Sequence, residues 1–409
     1  MKLSVQNMNQ EYTSSKNIAP KHLPMPSAVA LAQSAALVEI IQTEINSNNG
    51  WISFAEFMQL TLYAPNLGYY SGGSQKLGDA VKGGGDFVTA PQITPLFAQS
   101  LAKQVAQILQ ITGGCVLELG AGTGQLAVDL LIALKLNNQL PAHYYILEVS
   151  NHLRQVQREK IHQLLPSELA NKVVWLETLP QEFTGLVLGN EVLDAIAVHV
   201  LINTDDGWQE RGVSIGELES EFVWRNQALT NVGLLNMARQ YALPNNYITE
   251  FCPAANGLII SLASMLKHGA ILMIDYGFSA TEYYHPQRNQ GTLMCHYQHY
   301  THSNPLIYAG LQDITAHVNF TEIAEAGFSH GLGVAGYTSQ AQFLINCGIT
   351  ELLNQISPDD FSAYLPAVAA VQKLVSPAEM GDLFKVIALT KEINEALTGF
   401  TQGDKRHTL

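Results

Sequence analysis

Basic residues are scarce in this sequence. Its 409 residues include 21 Lys and Arg against 35 Asp and Glu, which gives a formal net charge of −14. Binding to nucleic acid depends on clustered Lys and Arg, which the sequence does not show, so nucleic acid is not expected as a partner. The acidic balance suits a cationic substrate better, although acidity also serves solubility alone.

Cysteine is also scarce. The four cysteines, at positions 115, 252, 295 and 347, form no CxxC pair, which argues against a zinc ribbon or a disulfide framework and fits a reducing compartment. Cys295, His296, His299 and His302 have the spacing of a metal-ligand run. Because the histidines stand among tyrosines in a predicted surface loop, we expect no metal site there.

Targeting and membrane-spanning patterns are missing as well. The N-terminus has no charged segment followed by an apolar one, and residues 1–21 contain three Lys but no Arg. We therefore expect neither a secretory signal nor a transit peptide. We also expect no membrane span, because no apolar run has the required length. The expected location is the cytoplasm.

Short apolar runs alternate with helical patterns along the chain, in a composition of 47% hydrophobic and 14% charged residues. Such alternation is typical of an α/β fold with a doubly wound parallel sheet and helices on both faces. A further run at 383–389 is expected to return antiparallel at the sheet edge. The predicted parallel strands are 115–119, 144–147, 173–176, 186–188 and 270–274, with helices between them at 126–136 and 257–266.

The chain divides into an N-terminal helical unit, a core in two parts and an insertion. A helical pattern over 28–45 and the S-x-x-E capping box of Ser53 and Glu56 predict the first unit. Short alternating segments at 202–250 predict an inserted β-rich region. The expected ranges are a flexible arm at 1–26, the helical unit with a glycine-rich loop at 27–110, the first core part at 111–201, the insertion at 202–255, the second core part at 256–391 and a tail at 392–409.

A glycine cluster ends the first predicted core strand. Gly120, Gly122 and Gly124, with Ala121 and Thr123 between them, form G-x-G-x-G and not the G-x-G-x-x-G of dinucleotide sites. Glycines there let the backbone turn sharply and approach a ligand closely. S-adenosylmethionine has no pyrophosphate to seat on the helix N-terminus, so the pattern favours this cofactor, with a nicotinamide enzyme as the alternative.

Two acidic residues flank the glycines. Glu118 would place a carboxylate beside the cationic part of S-adenosylmethionine, where it would repel a pyrophosphate. Glu148, followed by Val149, ends the next strand, where a carboxylate can accept hydrogen bonds from both ribose hydroxyls. The alternative is that both acids are merely solvated at strand ends.

Several short and uncommon sequence motifs between residues 53 and 391 carry a family resemblance. The chain resembles the MidA-like family of methyltransferases, whose mitochondrial member is a complex I assembly factor that methylates an arginine. This resemblance implies a seven-stranded methyltransferase sheet, S-adenosylmethionine as cofactor and an arginine of a partner protein as acceptor. It rests on SFAEFM (53–58), YAP (63–65), GYY (68–70), GDFVTAP (85–91), ELGAGTG (118–124), GNEVLDA (189–195), DYG (275–277), TAHVNF (315–320) and LFKV (383–386).

The sequence departs from the family pattern at Gln92 and Gln99, where the resemblance leads us to expect glutamates. If the glutamates of the family pattern contact the substrate, the activity or specificity of this protein differs from that of the family. Asp86 and Thr89 lie in the glycine-rich passage before Gln92, and we expect them to contact the cofactor as part of a lid.

Candidate catalytic residues follow two later strands. Asn190, Glu191 and Asp194 come after the strand at 186–188, and Asn190 is also expected to contact the cofactor. Glu191 and Asp194 are three residues apart, hence on one face of an expected helix, and helix capping is their alternative role. Asp275 ends the strand at 270–274 and either lines the same cleft or forms a turn.

The sequence thus predicts an S-adenosylmethionine-dependent protein arginine N-methyltransferase. Arginine stays protonated at physiological pH, so transfer to it requires carboxylates that orient the guanidinium and withdraw a proton. The alternatives are a cofactor-binding assembly chaperone that no longer transfers methyl, and a small-molecule methyltransferase. The oligomeric state is not predicted.

Overall fold

The computed structural model describes residues 22–72, 89–218 and 221–409. In chain order its strands are β1 (Ile52–Ser53), β2 (Cys115–Leu119), β3 (Tyr144–Leu147), β4 (Val173–Leu176), β5 (Phe183–Asn190), β6 (His199–Thr204), β7 (Gly207–Ile215), β8 (Phe222–Ala228), β9 (Tyr247–Phe251), β10 (Leu266–Phe278), β11 (Met294–Tyr297), β12 (Tyr300–His302), β13 (Asp313–Thr315), β14 (Val318–Asn319), β15 (Gly333–Ser339) and β16 (Phe384–Lys391). Its helices are α1 (Ala28–Ser47), α2 (Phe54–Tyr63), α3 (Ala90–Ile93), α4 (Pro95–Thr112), α5 (Gln125–Leu136), α6 (Asn151–Leu164), α7 (Ser167–Ala170), α8 (Val232–Arg239), α9 (Pro253–Met265), α10 (Ala280–Tyr283), α11 (Phe320–Phe328), α12 (Gln340–Asn346), α13 (Ile349–Leu353) and α14 (Phe361–Val375).

The central sheet has the strand order β4-β3-β2-β5-β10-β16-β15, with β14 beside the end of β10. Strands β4, β3, β2, β5 and β10 run parallel, and β16 is antiparallel to both of its neighbours. The chain builds outward from β2 to one edge and then from β5 to the other, so the order reverses between β2 and β5. The predicted doubly wound α/β fold is confirmed.

The position of β16 differs from the prediction. It was expected at the sheet edge, but β15 pairs on its outer side and forms that edge. The sequence did not predict β15 because its residues, GVAGYTS, include two glycines and no clear alternation. The pairing of β15 with β16 is irregular between Val334 and Gly336, which breaks the two-residue repeat on which strand prediction relies.

Apolar side chains cover both faces of the sheet, as a parallel sheet requires. One layer packs α4 and α5 on the sheet through side chains such as Phe97, Leu101 and Leu130, which are fully buried. The other packs α9 and α11, through Ile259 and Phe320 among others. These layers fix the carboxyl ends of β2, β3 and β5 at one edge.

The N-terminal helices pack on a second sheet, ordered β1-β7-β6-β9 with β8 beside β7. The predicted capping box forms: the Ser53 side chain accepts from the Glu56 N–H at 3.2 Å, and the Glu56 carboxylate accepts from the Ser53 N–H at 2.8 Å. The β-rich region contains β7, β8 and β9 as well as α8, a helix that the sequence did not predict.

Helix α1 is the one helix of the described residues that is long and apolar enough to cross a membrane, by length and composition only, with a mean hydropathy of 1.3. Its Leu37, Ile41 and Ile45 are fully buried, in the same cluster as Phe57 of α2. This packing accounts for part of its apolar composition.

The segment with Cys295 and three histidines is not a surface loop. It forms β11 and β12, an antiparallel hairpin to which β13 adds a third strand, and Cys295 is fully buried between them. Both strands contain a Tyr at the turn end of the hairpin, Tyr297 and Tyr300, and these two residues pair with each other. Among the described residues, no group of three His, Cys, Asp or Glu side chains is placed to hold a metal ion.

Candidate functional site

A cavity of about 590 Å³ opens at the carboxyl ends of β2, β3 and β5, where the strand order reverses. Ligands of open α/β sheets bind at this place. Most predicted cofactor residues line it, namely Thr89, Glu118, Gly120, Ala121, Gly122, Thr123, Glu148, Val149 and Asn190. Gly124 closes the same turn without lining the cavity, and Asp86 lies outside the described residues.

The three glycines of the turn have backbone angles that disfavour any other residue. Their φ values are +59° at Gly120, +51° at Gly122 and +80° at Gly124. A Cβ on Gly120 would stand 3.3 Å from the Val192 side chain. The turn therefore presents bare backbone to the cavity, which fits the close approach of a cofactor.

Glu118 is buried in the cavity wall, with 3% of its surface exposed. Burial raises the pKa of its carboxyl group to about 7, and a hydrogen bond donated by the Tyr144 hydroxyl at 2.7 Å opposes this rise. No Lys, Arg or His is among the described residues that line the cavity. A cationic ligand would meet a carboxylate there without a competing positive charge.

Glu148 is held rigidly at the end of β3. Its Oε1 accepts from the Ser150 N–H at 2.9 Å and its Oε2 accepts from the Gln157 side chain at 3.0 Å. Burial raises the pKa of Glu148, and these hydrogen bonds lower it. The oriented carboxylate fits the predicted contact with a pair of ribose hydroxyls, and the adjacent Val149, 77% exposed, adds an apolar surface to the cavity.

Gln157 of α6, which was not predicted from the sequence, joins the glycine turn to Glu148. Its side-chain nitrogen donates to the Gly122 carbonyl at 2.9 Å as well as to Glu148, and its oxygen accepts from the Trp175 indole at 2.9 Å. All its polar atoms are thereby used inside the protein. The one signal in the sequence was the apolar Ile161 four residues later, which marks the buried face of a helix.

The loop after β5 supplies two carboxylates to the other half of the cavity. Glu191 accepts from the Asn190 side chain at 3.0 Å and from the Ala90 N–H at 3.4 Å. Burial, followed by the charge of Asp194, raises the pKa of Glu191 to about 8. Burial raises the pKa of Asp194 to about 6, against a hydrogen bond from Tyr276, and its Oδ1 has no hydrogen-bond partner among the described residues.

This loop is not the helix that the sequence predicted, so helix capping does not explain Asn190, Glu191 or Asp194. Asn190 is the last residue of β5, and Glu191 has φ +55°, a left-handed conformation that is costly for a side chain other than glycine. Such a conformation persists only where the surroundings impose it, and it is frequent at functional sites.

Asp275 holds the loop that directly follows Glu191. Its Oδ2 accepts from three consecutive N–H groups, those of Val192 at 3.0 Å, Leu193 at 2.8 Å and Asp194 at 3.3 Å. It lies inside β10, which continues to Phe278 and does not end at residue 274 as predicted, and it does not line the cavity. We therefore interpret Asp275 as a positioning residue for the loop.

Three more residues of the cavity wall were not predicted, and they come from outside the central sheet. Tyr63 of α2 and Tyr70 stack on each other with ring centroids 5.5 Å apart, and Asp313 belongs to β13. All three line the cavity. Tyr63 and Tyr70 lie in motifs that carry the family resemblance, but no local pattern predicts that they reach the cavity, because only the tertiary fold brings these segments to the strand ends.

The two departures from the family pattern have different surroundings. Gln92 lines the cavity, and its side chain donates to the Thr123 hydroxyl of the glycine turn at 3.4 Å. Gln99 lies on α4 and does not line the cavity. Only the first substitution is therefore placed to affect ligand binding directly.

Comparison with known proteins gives concordant matches. Residues 100–338 match the model of a family of S-adenosyl-L-methionine-dependent methyltransferases. The crystal structure of a superfamily member from Burkholderia thailandensis bound to S-adenosyl-homocysteine is 49% identical, with a TM-score of 0.91, over 95% of this chain and 100% of that one. A second crystal structure from that organism is 48% identical, with a TM-score of 0.88 over the same shares.

Curated relatives have lower identity. The Drosophila melanogaster protein named "Protein arginine methyltransferase NDUFAF7 homolog, mitochondrial" is 27% identical over 90% of this chain and 88% of its own. The Homo sapiens protein arginine methyltransferase NDUFAF7, mitochondrial, is 26% identical over 84% and 80%. These names place those relatives in the mitochondrion, which contradicts the predicted cytoplasmic location. That prediction rested on missing targeting patterns, which are not themselves observations of location.

Proposed function

This chain belongs to the family of S-adenosyl-L-methionine-dependent methyltransferases, and from this premise we propose that it methylates an arginine side chain of a partner protein. The observation that carries the proposal is the acidic half of the cavity, where Glu191, Asp194 and Asp313 face no basic side chain among the described lining residues. The names of the curated relatives support arginine. The resemblance to the MidA-like family supports a subunit of respiratory complex I as the partner.

The cofactor half of the cavity fits S-adenosylmethionine. Glycine backbone permits close approach, Glu118 offers a carboxylate to a cationic group, and Glu148 offers oriented oxygens to ribose hydroxyls. When bound, this cofactor supplies an electrophilic methyl group. The protein then has to align the acceptor nitrogen with that group and exclude water.

The acceptor half has to bind a guanidinium and remove one of its protons. The acceptor nitrogen forms a bond to the methyl carbon, the sulfur keeps the electron pair of the bond that breaks, and the nitrogen gives up one proton. Glu191 suits the role of proton acceptor because its raised pKa lies near the operating pH. Asp194 offers an oxygen without a hydrogen-bond partner among the described residues, which suits an N–H of the planar guanidinium.

Two alternatives make different predictions. A chaperone without transfer activity would bind cofactor and partner but release no methylated product. A small-molecule methyltransferase would act on free amines and ignore peptides. Raised carboxyl pKa values beside an unpartnered carboxylate oxygen favour an enzyme that handles a cation and a proton.

The test uses S-adenosylmethionine labelled with tritium in its methyl group and three peptide pools of random sequence around a fixed central residue. The central residue is arginine, lysine or citrulline, the last being the neutral isostere of arginine. We expect label only in the arginine pool, as methylarginine after hydrolysis. Label in none of the pools, with cofactor binding intact by calorimetry, would refute the proposal.

The variant Glu191→Gln is expected to lose at least a hundredfold in kcat and to keep its affinity for S-adenosylmethionine, because general-base catalysis contributes about 10²–10⁴-fold. The matched control is Glu182→Gln, which removes a carboxylate that is 72% exposed and pairs with Lys267. Normal activity in Glu191→Gln would exclude Glu191 as the base.

A further inference from the structure

Asp313 contributes a third carboxylate to the acceptor half of the cavity from a separate part of the fold. It lies on β13 of the three-stranded sheet β12-β11-β13, whereas Glu191 and Asp194 follow β5 of the central sheet. Only 2% of its surface is exposed. A carboxylate this deeply buried is costly unless it is paired.

One partner of Asp313 is a tyrosine that also lines the cavity. The Tyr70 hydroxyl donates to Asp313 Oδ1 at 2.9 Å, and the Tyr70 ring stacks on Tyr63 at an interplanar angle of 24°. The Tyr63 hydroxyl in turn donates to the Ala195 carbonyl, in the loop that carries Asp194, at 3.0 Å. The two rings and the carboxylate are thereby held in one wall, with aromatic surface beside negative charge.

The charge of Asp313 acts on the acceptor half of the cavity. It contributes to the raised pKa of Glu191 and of Tyr63, Tyr70 and Tyr276. Among these groups, Glu191 belongs to the acceptor half of the cavity, so the charge of Asp313 acts on the residue proposed to accept the proton.

A separate observation points to a ligand between these groups. Asp194 is 5% exposed and its Oδ1 is a buried atom with no hydrogen-bond partner among the described residues. An arginine side chain would supply N–H donors for such an oxygen. It would also bring a positive charge to the three carboxylates. Its flat face would also match an aromatic wall, since guanidinium groups are attracted to aromatic rings.

We propose that Asp313 determines the specificity for a cationic acceptor, binding the guanidinium against the Tyr63–Tyr70 wall while Glu191 and Asp194 contact it from the β5 loop. The inference rests on the proposed function, because it assigns a further residue to the same acceptor site. The inference assigns the specificity for the acceptor to the sheet β12-β11-β13 and methyl transfer to residues at the strand ends of the central sheet.

The variant Asp313→Asn tests this inference. Asparagine keeps the side-chain shape, and its carbonyl oxygen still accepts from Tyr70, but the negative charge is lost. With the arginine peptide pool we expect KM to rise at least tenfold and kcat to change less than threefold. We also expect the rise of kcat/KM with pH to move to lower pH, because Glu191 loses a negative neighbour.

Two further variants keep the test decisive. Tyr70→Phe removes the hydroxyl that holds Asp313 but keeps the ring, and we expect a smaller increase in KM in the same direction. The matched control Glu322→Gln neutralises another buried carboxylate, 9% exposed and outside this cavity, and should leave KM and the pH profile unchanged. If Asp313→Asn does not fold, the change in KM of Tyr70→Phe decides whether the inference holds.

The outcomes separate this inference from the proposed function. An arginine pool labelled with equal KM by wild type, Asp313→Asn and Tyr70→Phe would overturn the role of Asp313 and leave arginine methylation standing. A wild-type protein that binds S-adenosylmethionine and labels only the lysine pool, or none, would overturn the proposed function, and with it a guanidinium-binding role for Asp313.

Discussion

At the scale of single residues, Glu191 and Asp194 titrate in a range that an assay can reach. Burial raises the pKa of Glu191 to about 8 and that of Asp194 to about 6. The charges of Asp194 and Asp313 contribute to the shift of Glu191, and Asp275 is a further acidic group that interacts with it. Both groups must be ionised to bind a cation and take a proton, and a raised pKa keeps a carboxyl group protonated to higher pH.

We therefore expect kcat/KM to increase with pH from about 6 to about 8 and to level off above, since this parameter reports the free enzyme. The measurement is a pH series with the arginine peptide pool. In Glu191→Gln, the residual kcat/KM should no longer show the part of the increase that lies near pH 8. A flat profile over this range in the wild-type protein would contradict the assignment.

The raised pKa of Glu191 also affects stability. In the unfolded chain the group ionises near pH 4.5, whereas in the folded protein it ionises near pH 8. The stability that it contributes is thus full below pH 4.5 and is lost as the pH rises to 8, at roughly 1.4 kcal/mol for each pKa unit. Glu191→Gln should raise Tm at pH 8.5 more than at pH 5.5, in thermal unfolding at both pH values. Equal changes in Tm at the two pH values would show that ionising Glu191 does not cost stability in the folded protein.

At the scale of elements, α6 holds the two parts of the cofactor half together through Gln157. Gln157→Ala removes the donors to Gly122 and Glu148 and leaves the Trp175 indole without its acceptor. We expect the affinity for S-adenosylmethionine to fall about tenfold, equivalent to about 1.4 kcal/mol, with an altered Trp175 fluorescence spectrum.

The matched control for Gln157→Ala lies on the same helix. Gln155 is exposed, and its side chain donates along the helix to Glu159 at 2.9 Å. Gln155→Ala should bind cofactor normally. Unchanged affinity in both variants would mean that the glycine turn and Glu148 are positioned without Gln157.

The element scale also shows what the sequence could predict. Strand β2, the glycine turn and Glu148 follow one another locally, so apolar runs and glycine spacing predicted them. The loop after β5 could not be predicted, because its shape depends on Asp275, which is distant in sequence and accepts its N–H groups. Tyr70 and Asp313 were missed for the same reason, since their contact spans 243 positions.

At the scale of the whole molecule, ligand binding should stabilise the fold. A ligand that binds only the folded state adds about 2.7 kcal/mol at a hundred times its Kd. We expect S-adenosyl-homocysteine to raise Tm in proportion to the logarithm of its concentration and NADH to have no effect. Gly122→Val should remove the shift, because φ there is +51° and the side chain would fill the cofactor space. A shift with NADH alone would overturn the cofactor assignment.

The separation of Asp313 from the other acids has an evolutionary consequence. Glu118, the glycine turn and Glu148 lie at the ends of neighbouring strands of one continuous stretch, whereas the wall of Tyr63, Tyr70 and Asp313 draws on the N-terminal segment and on the sheet β12-β11-β13. Mutations in those outlying segments can change the preferred acceptor without altering the cofactor pocket. Homologues can thus diverge in their targets while they inherit the same chemistry.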